Sequence, residues 1–254
     1  MIDIHCHILP GIDDGAQAIT DSLAMAQTAS EQGIHTIVAT PHHRNGAYDN
    51  EKNDILHYTT QLNDQLKEED IPVTILPGQE TRINGDMIDE INNGQIQPLN
   101  GTKYVFVEFS SNHVPRYAKQ MLFDIQVAGH IPVIVHPERN SAIYQHPSIL
   151  HEFVQKGALT QVTAASLAGK FGKNIRKFSH QLIDANMTHF IASDAHNTTT
   201  RGFVMDEAYQ ELSDEHGQDM TYLFMENAQL LINGQNVNKD EPQPIKKKKF
   251  LGIF

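Results

Sequence analysis

The sequence predicts an α/β fold in which parallel strands alternate with helices and close into a β/α barrel. Seven short apolar runs, rich in Ile and Val, recur along the 254 residues. Each run is followed by a longer segment with helical spacing, and the strand–helix units repeat about every 30 residues, which is the rhythm of a barrel. Seven units instead of eight predict a small, distorted barrel. A doubly wound open sheet is the alternative.

The predicted strands lack the polar–apolar alternation of a half-exposed sheet, which indicates that both of their faces are buried. In chain order they are Met1–Ile4, Thr36–Ala39, Val73–Leu76, Tyr104–Val107, Pro132–Val135, Leu159–Val162 and His189–Ala192.

The predicted helices carry apolar residues three or four positions apart, and most of them end at a glycine. In chain order they are Asp21–Gln32, Glu51–Glu69, Gly85–Asn93, Arg116–Ala128, Pro147–Lys156, Ser166–Asn186, Gly202–His216 and Met220–Asn233. We therefore expect one barrel domain over residues 1–234, followed by a linker and tail over residues 235–254.

The composition narrows the class of protein. A net charge of −12 argues against nucleic-acid binding, so no nucleic-acid partner is expected. The sequence has no run of 18 apolar residues, which argues against a membrane-spanning helix. The single cysteine excludes an internal disulfide framework and favours a reducing, cytoplasmic location.

Metal-binding residue types follow nearly every predicted strand. Barrel active sites lie at the carboxyl ends of the strands, so these residues are expected to meet. On a strand, residues two positions apart share a face, so one ion can contact both imidazoles of the His-x-His at the start of the chain. The full set is His5, His7, His42, His43, Glu80, Glu108, His136, Asp194 and His196, with Asp13 and Asp14 in the first loop.

The size and chemistry of this set predict two or three divalent ions. Clustered carboxylates repel one another unless cations lie between them. Imidazole and carboxylate ligands favour Mn, Fe or Zn over a soft-metal site, with Glu80 as the natural bridging ligand. Cys6 is not expected to be a nucleophile, because the residue six positions later is Ile12 and not the arginine of thiol phosphatases.

Two arginines lie close to the metal set in the sequence. Arg139 ends the run that starts at His136, and Arg201 follows His196. A guanidinium fork matches the oxygens of a phosphate, so we expect both arginines to bind a phosphoryl group. A salt bridge within the acidic loops is the alternative.

These motifs resemble those of the PHP (polymerase and histidinol phosphatase) superfamily. They are most similar to its capsule-operon branch, the bacterial manganese-dependent protein-tyrosine phosphatases. The resemblance covers residues 1 to about 233 and rests on the blocks 3–15, 40–46, 136–139 and 193–196, together with Glu80 and Glu108.

The resemblance implies a distorted (β/α)7 barrel that holds three Mn2+ ions and hydrolyses phosphotyrosine. By position, the first ion is held by His5, His7, Glu80 and Asp194, the second by Glu80, Glu108 and His136, and the third by Asp14, His42 and His196. Asp13 and His43 remain alternatives to their neighbours Asp14 and His42. The implied partner is a bacterial tyrosine kinase of exopolysaccharide synthesis that carries a tyrosine-rich tail.

Three other functions remain open at this point. The same fold could hydrolyse a small phosphomonoester such as histidinol phosphate. A metal-dependent nuclease or phosphodiesterase is a second possibility, although the acidic chain and the lack of a basic groove argue against it. The third is a regulatory protein that binds a kinase without chemistry, which the full ligand set argues against.

The end of the chain differs in character from the rest. Lys246–Lys249 precede Phe250, Leu251, Ile253 and Phe254, after a polar stretch that contains two prolines. Four lysines beside apolar residues predict a peripheral contact with the inner face of the membrane or with a membrane-bound kinase. A solubilising tail is the alternative.

Overall fold

Nine parallel strands and ten α-helices lie along residues 1–245, which are the residues that this computed structural model describes. The strands are β1 (Ile2–Cys6), β2 (Thr36–Ala39), β3 (His42–His43), β4 (Thr74–Pro77), β5 (Glu80–Arg82), β6 (Tyr104–Glu108), β7 (Ile131–Val135), β8 (Leu159–Thr163) and β9 (Phe190–Ala192). The helices are α1 (Ile19–Glu31), α2 (Lys52–Glu68), α3 (Met87–Asn92), α4 (Ala118–Val127), α5 (Ser141–Gln145), α6 (Ser148–Gln155), α7 (Ala164–Leu167), α8 (Lys173–Asp184), α9 (Met205–His216) and α10 (Gln218–Ile232). Across this range, no helix has both the length and the hydropathy that crossing a bilayer requires.

The strands form two parallel sheets, with the orders β1-β2-β4 and β3-β5-β6-β7-β8-β9. The predicted parallel α/β fold is thus confirmed. Each predicted strand position holds a strand, but the second and third positions each contain two short strands. Pro41 lies between β2 and β3, and Pro77 ends β4. Proline has no N–H to continue a hydrogen-bonded ladder, so a break at these points is expected.

Backbone hydrogen bonds continue beyond the carboxyl end of β1 on both of its sides. On one side, Thr40 N donates to Cys6 O at 2.9 Å. On the other side, Cys6 pairs with Ala195, and His7 N donates to Ala195 O at 2.9 Å. The end of β1 therefore lies between the chain that follows β2 and the chain that follows β9.

Both faces of the central strands are buried. On β6 and β7, Phe106 and Val133 pack on one side in a cluster that includes Leu231 of α10. Val107 and Ile134 pack on the other side in a cluster that includes α4. This two-sided burial explains why the sequence showed continuous apolar runs.

Two helical features differ from the sequence prediction. The single helix predicted over Ser166–Asn186 is wrong, because α7 and α8 are separate helices. Gly172 precedes α8 with a φ of 94°, a conformation that favours glycine and interrupts the helix. The unpredicted α5 begins where the side chain of Asn140 accepts a hydrogen bond from the N–H of Ile143 at 3.0 Å.

Residues 235–245, which we call the C-terminal strap, form no helix or strand and contact the start of β6 and the residues between α8 and β9. Tyr104 Oη donates to Gln235 O at 2.5 Å, and Gln243 N donates to Ala185 O at 2.8 Å. Ile245 packs against the cluster that includes α4. The domain division at residue 234 stays a prediction, and the basic and apolar tail at 246–254 lies outside the described residues.

Candidate metal centre

The nine predicted metal ligands meet at the carboxyl ends of the strands. They lie on, or directly after, β1, β3, β5, β6, β7 and β9, and the loop after β1 adds one more. Parallel strands bring these ends to one edge, so ligands far apart in the sequence come together. The residues are His5, His7, Asp14, His42, Glu80, Glu108, His136, Asp194 and His196.

His5 on β1 and His7 directly after it point their Nε2 atoms at each other and at two carboxylates. His5 Nε2 and His7 Nε2 are 3.3 Å apart. Glu80 Oε2 lies 3.5 and 3.4 Å from these two nitrogens, and Asp194 Oδ1 lies 3.6 and 3.4 Å from them. All four side chains are nearly or fully buried.

Acceptors on the far side of the imidazoles fix the direction of the rings. His5 Nδ1 donates to Gln161 Oε1 at 2.9 Å, and His7 Nδ1 donates to Asp13 Oδ2 at 2.7 Å. With the proton on Nδ1, each Nε2 presents a lone pair to the centre. Such outer hydrogen bonds are typical of metal-binding histidines, because they select the tautomer that binds the ion.

Asp13 and Asp14 take different positions in the structure. Asp13 contacts His7 from outside, whereas Asp14 Oδ1 lies 3.4 Å from both His42 Nε2 and His196 Nε2. The following Gly15 packs directly on the end of β1, and a Cβ at that position would lie 1.9 Å from the carbonyl oxygen of His7. Glycine therefore allows the loop to approach closely enough for Asp14 to face the cluster.

The alternative ligand His43 points away from the centre. Its side chain is fully buried, and its Nδ1 lies 2.8 Å from Asp49 Oδ1. Neighbouring residues on a strand face opposite sides, which accounts for the difference from His42. His43 therefore does not join the ligand cluster.

Glu80 and Glu108 connect the cluster to the strands β5 and β6. Glu80 Oε1 is 2.7 Å from His136 Nε2, and Glu108 Oε2 is 3.9 Å from His42 Nδ1. The Arg82 guanidinium donates to both oxygens of Glu108 at 2.8 Å, since these two residues are paired across β5 and β6. The sequence analysis did not identify Arg82 as part of the site.

Two candidate ligands adopt a left-handed backbone conformation. His136 has a φ of 36° and Asp194 a φ of 52°, and each directly follows the end of a strand or lies close to it. Non-glycine residues in this region cost roughly 1–3 kcal/mol and concentrate at functional sites. Backbone hydrogen bonds from His136 N to Gln161 O at 2.7 Å and from Asp194 N to His5 O at 2.9 Å hold both residues.

The surroundings shift the pKa values of the ligand side chains in both directions. Although burial acts in the opposite direction, Asp13 raises the pKa of His7 well above its ordinary value, and Glu80 with Asp14 raises that of His42 to about 10. Burial lowers the pKa of His136 to about 4, and Arg139 adds to this effect. Although burial acts in the opposite direction, Arg139 and His5 hold the pKa of Asp194 well below its usual range. Burial raises the pKa of Glu108 to about 6, with Glu80 adding to the rise and Arg82 opposing it.

Buried acceptors without partners show that the cluster fits divalent ions. The side-chain atoms His42 Nδ1, Glu80 Oε2 and His196 Nε2 have no hydrogen-bond partner. The first two lie only 2.9 Å apart, but without the alignment of a hydrogen bond. Buried polar groups are normally satisfied, and a centre lined by lone pairs and carboxylate oxygens is stabilised by cations.

Both predicted arginines contact the cluster through one carboxylate oxygen. Arg139 and Arg201 donate to Asp194 Oδ2 at 2.5 and 3.0 Å. The other oxygen of this carboxylate, Oδ1, faces His5 and His7. The arginines also line a cavity of about 230 Å³, together with Glu108 and His136. The structure thus contains the predicted salt bridge and also exposes both guanidinium groups to a cavity beside the ligands.

Cys6 lies outside this chemistry. Its side chain is buried in an apolar cluster, and its Sγ lies 3.5 Å from Ala195 O. Burial raises the pKa of the thiol well above its ordinary value, so the nucleophilic thiolate is disfavoured.

The sequence analysis missed three residues that support the site. Gln161 orients His5, Arg82 holds Glu108, and the buried Glu138 accepts from Ser166 Oγ at 2.6 Å and from Thr163 N at 3.1 Å. The signal for Gln161 was a buried amide inside an apolar strand. The contacts of Arg82 and Glu138 depend on strand register, which the sequence pattern does not provide.

Comparisons with known proteins agree with this arrangement. Residues 1–233 match the family described as "Capsular polysaccharide synthesis, CpsB/CapC". The chain is 51% identical to the tyrosine-protein phosphatase YwqE of Bacillus subtilis over 254 residues, covering 100% of both chains. It is 37% identical to the putative tyrosine-protein phosphatase CapC of Staphylococcus aureus, again covering 100% of both chains.

A solved structure is similar over nearly the whole chain. It comes from crystal structures of YwqE from Bacillus subtilis and CpsB from Streptococcus pneumoniae, which are described as unique metal-dependent tyrosine phosphatases. The TM-score is 0.95 at 51% identity, covering 97% of this chain and 100% of the other. The family resemblance predicted from the motifs is therefore confirmed, and this chain belongs to the CpsB/CapC family of capsular polysaccharide synthesis.

Proposed function

We propose that this chain is a metal-dependent protein-tyrosine phosphatase, a phosphoric monoester hydrolase that acts on a bacterial tyrosine kinase of capsular or exopolysaccharide synthesis. The observation that carries the proposal is the cluster of inward-facing imidazoles and carboxylates beside an arginine-lined cavity. The similarity to YwqE and CapC supports the same activity. Histidinol phosphatase activity is not favoured, because the similar proteins are named tyrosine phosphatases.

The ligand groups suit three ions that share side chains. We assign the first position to His5, His7, Glu80 and Asp194, the second to Glu80, Glu108 and His136, and the third to Asp14, His42 and His196. His42 Nδ1 also lies 2.9 Å from Glu80 Oε2 and 3.9 Å from Glu108 Oε2, so this imidazole is an alternative ligand at the second position. Glu80 belongs to the first two groups and would supply a carboxylate oxygen to each. Carboxylate ligands suit Mn2+ and imidazole ligands suit Fe or Zn, so we propose Mn2+, the ion that the family resemblance implies, with Fe or Zn as alternatives.

The metal ligands and the two arginines have different roles in phosphate-ester hydrolysis. Bound divalent ions lower the pKa of water towards neutrality and offset charge on phosphoryl oxygens. Arg139 and Arg201 orient the phosphoryl group from the cavity side and stabilise the charge that develops on its oxygens. The phenol of tyrosine, with a pKa of about 10, leaves more readily than an alkyl alcohol, so a strong general acid is less necessary.

We infer that the two sheets are arcs of one closed, distorted (β/α)7 barrel. The hydrogen bonds on both sides of the end of β1 support this inference. A closed ring places every strand end around one centre, which explains how ligands from six strand positions reach each other.

The partner and the location follow from the same proposal. The kinase substrate presents a tyrosine-rich tail to the cytoplasm, where this enzyme acts. The segment Lys246–Lys249 adds a peripheral contact with the inner face of the membrane.

Parallel assays test the proposed activity. The purified protein is stripped with a chelator, reloaded with Mn2+, Fe2+ or Zn2+, and assayed on a phosphotyrosine peptide, histidinol phosphate and a phosphodiester. We expect hydrolysis of the phosphotyrosine peptide to depend on metal and to exceed that of the other substrates, with Mn2+ most effective. Faster hydrolysis of histidinol phosphate, or full activity without metal, would contradict the proposal.

A further inference from the structure

Tyr48 lies beside the metal ligands, on a turn that contributes no ligand to the cluster. The turn, residues 44–50, connects β3 to α2. The Tyr48 ring is nearly parallel to the His42 imidazole, with an interplanar angle of 11° and centroids 6.3 Å apart. Tyr48 therefore lies next to a candidate ligand without lying in the ligand cluster itself.

Tyr48 forms one wall of a second cavity at the cluster. This cavity, which we call the tyrosine groove, has a volume of about 510 Å³ and also contacts Asp14, His196 and Met25. Its lining shares no residue with that of the arginine-lined cavity. The two cavities therefore approach the ligand cluster from different sides.

Polar contacts clamp the start of the turn. Arg44 Nε donates to Glu90 Oε1 at 2.6 Å, and Arg44 Nη1 donates to Asp49 Oδ2 at 3.1 Å. Asn45 Oδ1 accepts from Tyr48 N at 2.8 Å. These bonds fix the backbone that carries the Tyr48 ring.

The end of the turn is attached to the site itself. Asn50 Nδ2 donates to His42 O and to Ile12 O, each at 2.9 Å. The backbone that carries the Tyr48 ring is thus held in place relative to the cluster before any substrate arrives. A side chain that is fixed in advance loses little conformational entropy when a ligand contacts it.

The two cavities suit the two halves of an aryl phosphate. The smaller cavity holds two guanidinium groups, which match phosphoryl oxygens. The tyrosine groove is of a size typical of small-ligand pockets, about 300–1,000 Å³, and it offers an aromatic ring and a methionine, which pack favourably against another ring.

We propose that Tyr48 is a specificity-determining residue whose ring packs against the phenyl ring of the phosphotyrosine substrate. A phosphoryl group at the cluster can contact the arginines on one side while its aryl group occupies the tyrosine groove. The inference rests on the proposed phosphatase function and adds a means of selecting aryl over alkyl phosphates.

The test compares two substrates whose leaving groups have similar acidity, phenyl phosphate and the phosphate ester of a fluorinated alkyl alcohol. Tyr48→Leu is expected to lower kcat/KM for phenyl phosphate about two- to tenfold, the range that one aromatic contact provides. The change should lie mainly in KM, and the fluoroalkyl ester should be hydrolysed as in the wild type. Tyr48→Phe should keep the wild-type preference, because it keeps the ring.

Tyr222→Leu is the matched control, since Tyr222 lies on α10 and is 59% exposed. Metal content and inhibition by inorganic phosphate are measured for each variant and should not change. An equal loss on both substrates, or loss of metal from Tyr48→Leu, would overturn the role of Tyr48 as a ring-packing residue. If the wild type hydrolyses neither ester, the proposed phosphatase function fails instead, so the two failures are distinct.

Discussion

Replacing Arg139 with alanine tests whether the paired arginines bind the phosphoryl group or only hold Asp194. Arg139 and Arg201 donate to the same oxygen of Asp194, and its other oxygen faces His5 and His7. In the single variant, one guanidinium still holds Asp194, so the ion content should be unchanged. Losing one charged contact to the phosphoryl group costs roughly 2–4 kcal/mol, which lowers kcat/KM roughly 30- to 1,000-fold.

Steady-state kinetics on a phosphotyrosine peptide and elemental analysis of the same samples measure the two effects separately. Arg201→Ala should behave like Arg139→Ala, because both guanidinium groups face the cavity. Arg176→Ala is the matched control, since Arg176 pairs with Glu211 away from the ligands. A variant that loses an ion would show that its arginine supports the ligand loops.

The double variant extends the test to stability. Asp194 is 4% exposed and would lose both cationic partners, and breaking a buried pair in this way costs about 3–5 kcal/mol. We expect a lower Tm in the metal-free double variant and recovery when Mn2+ is added. If both single variants retain full kcat/KM, the arginines do not bind the phosphoryl group and the reasoning is refuted.

Four further changes probe other parts of the molecule. His136→Ala should remove at least one ion and abolish hydrolysis, because His136 Nε2 lies 2.7 Å from Glu80 Oε1 in the cluster and alanine offers no ligand atom; full metal content with normal turnover would contradict the ligand assignment. Arg82→Met removes the hydrogen bonds that hold the Glu108 carboxylate, so elemental analysis should find one ion fewer, with partial recovery in Arg82→Lys. A full ion count in Arg82→Met would show that Glu108 needs no support. Burial lowers the pKa of His189 to about 3, so only the unfolded chain gains this proton as the pH falls below about 6.5, and the folded state loses stability. In urea titrations, His189→Asn should therefore remove about 2 kcal/mol of the stability loss between pH 6.5 and 5.0. An identical pH dependence in the variant and the wild type would exclude this effect. Truncation after Ile245 should preserve turnover on a short phosphopeptide but weaken salt-sensitive binding to anionic vesicles, and equal binding by both forms would leave the tail without a membrane role.

The strand positions were predictable because burial on both faces leaves a continuous apolar signal. The breaks between β2 and β3 and between β4 and β5 were not, although prolines lie at both. The division of Ser166–Asn186 into α7 and α8 was missed because helical spacing resumes after the turn at Gly172. Local patterns thus identified the elements better than their interruptions.

The ligand set was predictable because parallel strands bring their carboxyl ends together whatever their distance in sequence. Residues that orient the ligands were harder to find. The contact between Arg82 and Glu108 depends on the register of two strands whose residues are 26 positions apart. Tyr48 lies on a turn that contributes no metal ligand, so the sequence pattern did not identify it. Its role could be inferred only from the position of its ring beside His42.

The position of the C-terminal strap affects how this enzyme can be attached to a surface or a fusion partner. It contacts Tyr104 at the start of β6, whereas the ligand Glu108 ends the same strand, about 13 Å away at the usual rise per residue. A bead, a sensor surface or a fusion partner joined directly after Ile245 is therefore expected to lie away from the ligands, on the side of the molecule where β6 begins. Immobilised in this way, the enzyme would present both cavities to the solution, whereas attachment at the turn of Tyr48 would obstruct the tyrosine groove.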